Sequence, residues 1–89
     1  MVHKPYIPAI IRIMKELDRI TMNPRIMTGR PCIRGMRITV GTIIGLVAAG
    51  HSWAEIRQHY PEIEDEDIRQ ALQYAQWRCE EREVDLAGA

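Results

Sequence analysis

One apolar stripe in the last third of the chain constrains its fold more than any other feature. Its members recur at i, i+3, i+4, i+7 and i+11, the spacing of one helix face: Ile68, Ala71, Leu72, Ala75 and Cys79. The stripe predicts a helix over about 65–82, and the acidic run at 65–67 is well placed against the N-terminal end of the helix dipole. We therefore expect helix to be the main secondary structure, with this helix as its clearest element.

A buried helix is predicted over about 41–49. The segment is apolar almost all round, and Gly50 is suited to a left-handed helix end. Gly45 inside it costs about 1 kcal/mol of helix propensity. We therefore expect the backbone of another element to pack closely against Gly45.

A further short helix is predicted between these two. Ser52 and Glu55 have the spacing of a capping box, which opens a helix over 52–59. Pro61 lies in the connection 60–64 that ends this helix and leads into the last one. The three helices make a compact unit, and the last two have the dimensions of a helix-turn-helix.

Residues 19–40 predict a small β arm before the helices. Glycine and proline separate short apolar pieces, and Gly29, Pro31 and Gly35 permit the turns between them. After Gly35 the residues alternate, which places Arg37 outside. The apolar positions expected inside are Ile33, Ile38 and Val40.

The chain is expected to form one domain over 19–83, composed of the β arm and the three helices. Residues 84–89 then form a C-terminal tail, and residues 1–18 form an N-terminal extension. The apolar spacing of residues 7–17 leaves two interpretations open, an amphipathic helix or a loosely attached segment.

Charge is distributed unevenly, although the net charge is zero. Residues 1–40 hold eight Lys or Arg and two acidic residues, whereas residues 41–89 hold four Arg and ten acidic residues. Residues 19–40 contain five arginines and no acidic residue. This segment predicts a positive potential and an anionic partner, which is nucleic acid, an acidic protein surface, or the acidic half of a second copy.

Several function classes have no support in the sequence. No apolar run approaches the ~20 residues that span a bilayer, and the chain does not begin like a secretory signal, so we expect a cytoplasmic protein without membrane contact. The two cysteines lie far apart and the three histidines lack ligand spacing, so neither a metal nor a cofactor is expected. No nucleophile–base arrangement or phosphate-binding glycine loop is recognisable, so we expect a non-enzyme.

The stretch DRITMNPRIMTGRPCIRGMRITVGTIIGLVAAGHSWAEIRQHYPEIEDEDIRQALQYA, residues 18–75, resembles the DUF433 family. The family pattern contains a D-P or N-P turn, G-K/R-P-x-I-R-G-T-R-I-x-V, an apolar helix ending in A-G, and Y-P before the final helix. The resemblance implies a mainly α, homeodomain-like three-helix (helix-turn-helix) domain preceded by a small β-hairpin arm. It also implies a prokaryotic VapB-type antitoxin that pairs with a PIN-type nuclease toxin. Glu64 departs from the pattern, because a Ser or Thr cap is usual there.

The candidate residues for nucleic acid or another anionic partner lie on the β arm and the last helix. They are Arg25, Arg30, Arg34, Arg37, Arg69, Gln70 and Gln73. The acidic start of the last helix, residues 64–67, would repel phosphates, so the arginines of the arm are the better candidates for phosphate contact. Pairing of these arginines with the acidic half of the chain is the alternative.

A toxin-binding segment is expected at the end of the last helix, where arginine can reach the metal-binding carboxylates of a nuclease. Its candidate residues are Trp77, Arg78, Arg82, Val84 and Leu86. The predicted function is thus a non-catalytic, antitoxin-like binding module, a homodimer or higher homo-oligomer that neutralises a PIN-type nuclease and binds its operator DNA. The alternative is an assembly subunit that self-associates through its basic and acidic halves.

Overall fold

The computed structural model describes Arg12 and residues 15–87, with side chains as far as Glu80. Most of the segment 7–17, for which the sequence left a helix and a loosely attached segment open, therefore lies outside the described residues. Within it, Arg12 and residues 15–16 have helical backbone.

Three helices follow a pair of very short strands. The elements are strand β1 (Ile20–Thr21), a 3-10 helix (Met27–Gly29), strand β2 (Cys32–Ile33), and helices α1 (Val40–Ala48), α2 (Trp53–His59) and α3 (Asp65–Ala87). This order confirms the mainly α class with a small antiparallel strand pair before the helices. Helix α3 continues to Ala87, so most of the segment expected to be a tail has helical backbone.

The strand pair joins Ile20 to Ile33 and Thr21 to Cys32 in antiparallel register. Residues 36–40, expected to alternate as a strand, contribute one bridge, between Thr39 and Cys32. They pair no further because the Thr39 side chain accepts a hydrogen bond from the Thr42 amide, 3.0 Å away, and so caps α1.

The chain reverses between β2 and residue 36 through Arg34 and Gly35. Both residues have positive φ, 46° and 70°, and the Met36 amide donates to the Ile33 carbonyl at 2.8 Å. Positive φ at both central positions is the requirement of a type I′ turn. Glycine adopts this conformation freely, whereas arginine does so at a cost of about 1–2 kcal/mol.

Local hydrogen bonds mark the end of α1 and the beginning of α2. Gly50 has φ 92°, its amide donates to Val47, and the His51 amide donates to Leu46, which together form a Schellman motif. Ser52 and Glu55 form both hydrogen bonds of a capping box at the start of α2.

One hydrophobic core joins the β arm to all three helices. Its members are Leu17, Ile20, Ile33, Val40, Ile43, Ile56, Ile63, Ile68, Ala71 and Tyr74. Leu17 therefore packs with the domain, although the sequence placed it in an extension. The apolar stripe of α3 leaves this core before its end, because Cys79 is exposed.

The close packing expected at Gly45 is wrong within the described chain. Beyond its chain neighbours and the adjacent backbone of α1, a Cβ atom added at Gly45 would have no described atom within 4 Å. The surface of α1 is therefore open at this position.

None of the helices in the described part of the chain is long and apolar enough to cross a membrane.

Candidate functional site

A buried carboxylate connects the β arm to the start of α3. Asp67 has an exposed fraction of 0% and accepts four hydrogen bonds. Its Oδ1 accepts from Arg34 Nε at 3.1 Å and from Arg19 at 3.2 Å, and its Oδ2 accepts from Arg34 at 2.9 Å and from the Glu64 amide at 2.8 Å. Arg34 also donates to the Glu62 carbonyl at 2.6 Å. These bonds hold the strained turn residue Arg34 against α3.

The electrostatics of this cluster keep Asp67 ionised. Burial raises the pKa of its carboxyl, but hydrogen bonds from Arg34, the Glu64 amide and Arg19 together hold that pKa below its ordinary value of 3.8. Arg19 also pairs with the Glu64 side chain. Glu64, the residue before α3, offers no Ser or Thr hydroxyl as a cap. Its amide donates instead to the Asp67 carboxylate.

The structure corrects the role expected for Gln70. Its side chain is 3% exposed, donates to Asp18 and Glu66 at 2.8 Å each, and accepts from the Arg19 amide at 2.9 Å. These three hydrogen bonds occupy the buried amide of Gln70 within the chain, so Gln70 is unavailable for contacts with DNA bases. The exposed Arg69 donates to Glu66 through both Nε and a terminal nitrogen.

The face of α3 that carries Arg69 and Gln73 is bordered by residues from before β1. Glu16 and Leu17 line a shallow cavity together with Gln73 and Trp77. Gln73 itself is exposed. The predicted recognition face is thus partly flanked by the chain's own N-terminal side.

Arginines of residues 19–40 fall into two groups. Arg19 and Arg34 form ion pairs with acidic residues of the second half of the chain. Arg25, Arg30 and Arg37 are exposed and form no ion pair with any residue that the structure describes. The basic surface predicted for the arm is therefore reduced to these three arginines.

An open groove of about 700 Å³ lies between α1 and α3. Val40, Ile44 and Gly45 of α1 line one side, and Tyr74, Ala75 and Cys79 of α3 line the other. Arg30 and Arg78 also line the groove, and both are exposed. Among the described residues no Asp or Glu lines it, so the groove is apolar with a positive charge.

Two of the predicted toxin-binding residues have described side chains. Trp77 is half-buried against the core, and its ring lies 6.0 Å from the Tyr74 ring. The guanidinium of Arg78 lies 5.8 Å from the Trp77 ring centroid, within range of a cation–π contact. Arg82, Val84 and Leu86 belong to α3, but their side chains lie outside the described residues.

No cluster of three or more His, Cys, Asp or Glu residues suited to a metal ion occurs in the described part of the chain. His51 and His59 form an edge-on ring pair with centroids 5.6 Å apart. Cys32 is buried and Cys79 is exposed, and both are free thiols.

Comparison with known proteins identifies the family. The family model described as "Protein of unknown function (DUF433)" matches residues 20–75, which is more than half of the chain. The chain belongs to the DUF433 family.

Two relatives of this DUF433 chain are informative. "Uncharacterized protein y4eO" of Sinorhizobium fredii (strain NBRC 101917 / NGR234) is 39% identical over 57 residues, which cover 64% of this chain and 26% of that protein. The chain thus matches about a quarter of the length of that relative. The crystal structure of a DUF433 member from Anabaena variabilis ATCC 29413 has 25% identity and a TM-score of 0.67, and covers 89% of this chain and 78% of that one.

Sequence reasoning missed the side chains that hold this DUF433 domain together around Asp67. The sequence placed Asp67 in the acidic start of the last helix and left two possibilities open for Arg34, an anionic partner or the acidic half of the chain, and the structure shows the second. A signal was present, since Asp67 stands at the third position after Glu64, where a side chain can return to the amide that begins the helix. The arginine partners lie 33 and 48 residues away along the chain, beyond any local pattern.

Proposed function

We propose that this DUF433 protein is a non-catalytic regulatory binding module, the antitoxin-like partner of a PIN-type nuclease. The observation that carries the proposal is the division of the arm arginines. Arg19 and Arg34 are committed to the fold, whereas Arg25, Arg30 and Arg37 are exposed without an ion pair among the described residues. Such a surface attracts an anionic partner.

The start of α3 is unsuited to conventional DNA docking. Glu64 and Asp65 are exposed there, and the arginines that pair with them, Arg19 and Arg57, are engaged within the chain. We propose that operator DNA, where it is bound, contacts the exposed arm arginines of a homodimer through its phosphates.

The nuclease contact is proposed for the last turn of α3 whose side chains are described. Trp77 and Arg78 lie together there, and Arg78 is exposed. An arginine inserted among the metal-binding carboxylates of a PIN-type nuclease would form charge-assisted hydrogen bonds with them. That contact would compete with the divalent metal.

The alternative function, an assembly subunit that joins basic and acidic halves of different copies, has less support. Arg19–Glu64 and Arg34–Asp67 already join the two halves within one chain. This pairing reduces the charge that remains for contacts between copies.

Co-expression tests the proposal. The chain is co-expressed with the protein encoded by the neighbouring gene, and co-purification and ribonuclease activity are measured for the full chain and for a chain ending at residue 77. We expect the full chain to co-purify and silence the nuclease, and the shortened chain to lose both effects while it keeps its helical circular dichroism. A full chain that captures no partner and forms salt-sensitive oligomers instead would support the assembly alternative.

A further inference from the structure

The groove between α1 and α3 contains an unexplained glycine. Gly45 lies inside α1, where glycine is unfavourable relative to alanine, and no described atom would contact a Cβ added to it. Neither a positive φ, as found at Gly50, nor a contact with the described part of the chain therefore accounts for this glycine. Its remaining physical effect is to leave the α1 backbone accessible from the groove.

The charge of the groove restricts what can occupy it. Arg30 lines the groove, is exposed, and pairs with no acidic residue in the described part of the chain. Arg78 lines the same groove from α3. An occupant that offers a carboxylate at the position of the Arg30 guanidinium is electrostatically matched, and a basic occupant is repelled.

A second copy docked groove to groove is a poor match. A two-fold contact of this kind would bring Arg30 of each copy towards the positively charged groove of the other. Like charges placed opposite each other at an interface are unfavourable. The occupant therefore comes from a different surface.

We infer that the groove binds one face of an acidic amphipathic helix of a partner protein. Apolar side chains of that helix enter between Ile44 and Ala75, its backbone approaches α1 at Gly45, and a carboxylate pairs with Arg30. A helix laid in a hydrophobic groove is a common mode of peptide recognition. The inference rests on the proposed function in one respect, that the partner is a protein, and it names the segment by which that partner is held.

A model peptide tests the groove without any knowledge of the partner. The probe is an amphipathic helical peptide of about 15 residues built from Leu, Ala and Glu, and its control carries Lys in place of Glu. Binding to the ¹⁵N-labelled full chain is followed by NMR. We expect the acidic peptide to shift the amide signals of Gly41, Gly45 and Ala75, and the lysine peptide to leave them unchanged.

Two variants separate the groove from general electrostatics. Arg30→Gln is expected to weaken peptide binding about fivefold or more. The matched control Arg37→Gln removes another exposed arginine that does not line the groove, and it is expected to change binding less than about twofold. Equal effects of the two variants would overturn the inference.

Gly45→Ala separates binding from folding. Alanine is expected to raise Tm by about 4 °C because it favours the helix, yet to weaken peptide binding about tenfold because its methyl group obstructs the approach to α1. Unchanged peptide binding in this variant would overturn the inference. So would concentration-dependent shifts of Gly45 in the chain alone, because these would show that a second copy occupies the groove.

The two experiments fail separately. Peptide binding in the groove without capture of a nuclease would leave the inference standing and remove the nuclease proposal. A captured nuclease that is unaffected by Arg30→Gln and Gly45→Ala, together with no peptide binding, would keep the proposed function and overturn the inference.

Discussion

At the scale of single residues, stability depends most on the buried carboxylate of Asp67. Asp67→Asn removes the charge that faces Arg34 and Arg19, and an amide cannot accept at both terminal positions. We expect the free energy of unfolding to fall by about 2–4 kcal/mol, measured by denaturant titration. The matched control Asp65→Asn breaks only the exposed pair with Arg57, so a change of less than about 1 kcal/mol is expected. Equal losses would contradict this role of Asp67.

Acid sensitivity follows from the same residue. Because the pKa of Asp67 in the folded chain lies below its ordinary 3.8, its contribution to stability is complete above that value and is lost as the pH falls through the folded pKa. Glu66, whose pKa is lowered to about 2 chiefly by its hydrogen bond with Arg69, acts in the same direction. We expect Tm to fall between about pH 4 and pH 2, and Asp67→Asn to reduce that dependence. Parallel pH profiles of the two proteins would contradict the prediction.

At the scale of elements, α2 is only seven residues long and depends on its first turn. The Ser52 hydroxyl accepts from the Glu55 amide at 3.1 Å, and the Glu55 side chain accepts from the Ser52 amide at 3.0 Å. Ser52→Ala is expected to lower the free energy of unfolding by about 1 kcal/mol, measured by denaturant titration. Ser52→Thr keeps the hydroxyl acceptor and is expected to restore most of the loss. An equally large loss in both variants would contradict a capping role.

Elements defined by local patterns could be predicted from the sequence. The capping box at Ser52, the left-handed end of α1 at Gly50 and the apolar face of α3 each involve residues only a few positions apart. The partner of Arg34 could not be predicted in this way, because local spacing does not reveal which of ten acidic residues in the second half is buried. The strand expected over residues 36–40 is reduced to the one bridge between Thr39 and Cys32, because Thr39 caps α1.

Sequence also suggested a reason for Gly45 that the fold does not support. Glycine in a helix interior predicted a close intrachain contact, and the fold leaves that side of α1 open. Propensity alone shows that an unfavourable residue is present. It does not show whether the element that approaches this glycine belongs to the same chain or to another molecule. The groove depends on the packing of α1 beside α3, which propensity does not reveal.

At the scale of the whole molecule, ion pairs of Arg19 and Arg34 with Glu64 and Asp67 join the basic and acidic halves within the described part of the chain. Arg34 serves the fold, whereas Arg25, Arg30 and Arg37 carry charge at the surface. Substitution of these three exposed arginines by Gln is therefore expected to change the free energy of unfolding by less than about 1 kcal/mol in total. The single control Arg34→Gln leaves the buried Asp67 with fewer donors and is expected to destabilise the chain more than all three together.

Binding should show the opposite order. The triple variant is expected to weaken the complex with an anionic partner and to reduce its salt dependence, because fewer ionic contacts remain to be screened. If DNA is that partner, each lost phosphate contact makes the negative slope of log affinity against log salt less steep by about 0.9. Titration at several salt concentrations, with Tm recorded for each variant, measures both quantities. Normal binding by the triple variant would remove the basic surface from the function. A triple variant that unfolds more easily than Arg34→Gln would show that these arginines stabilise the fold.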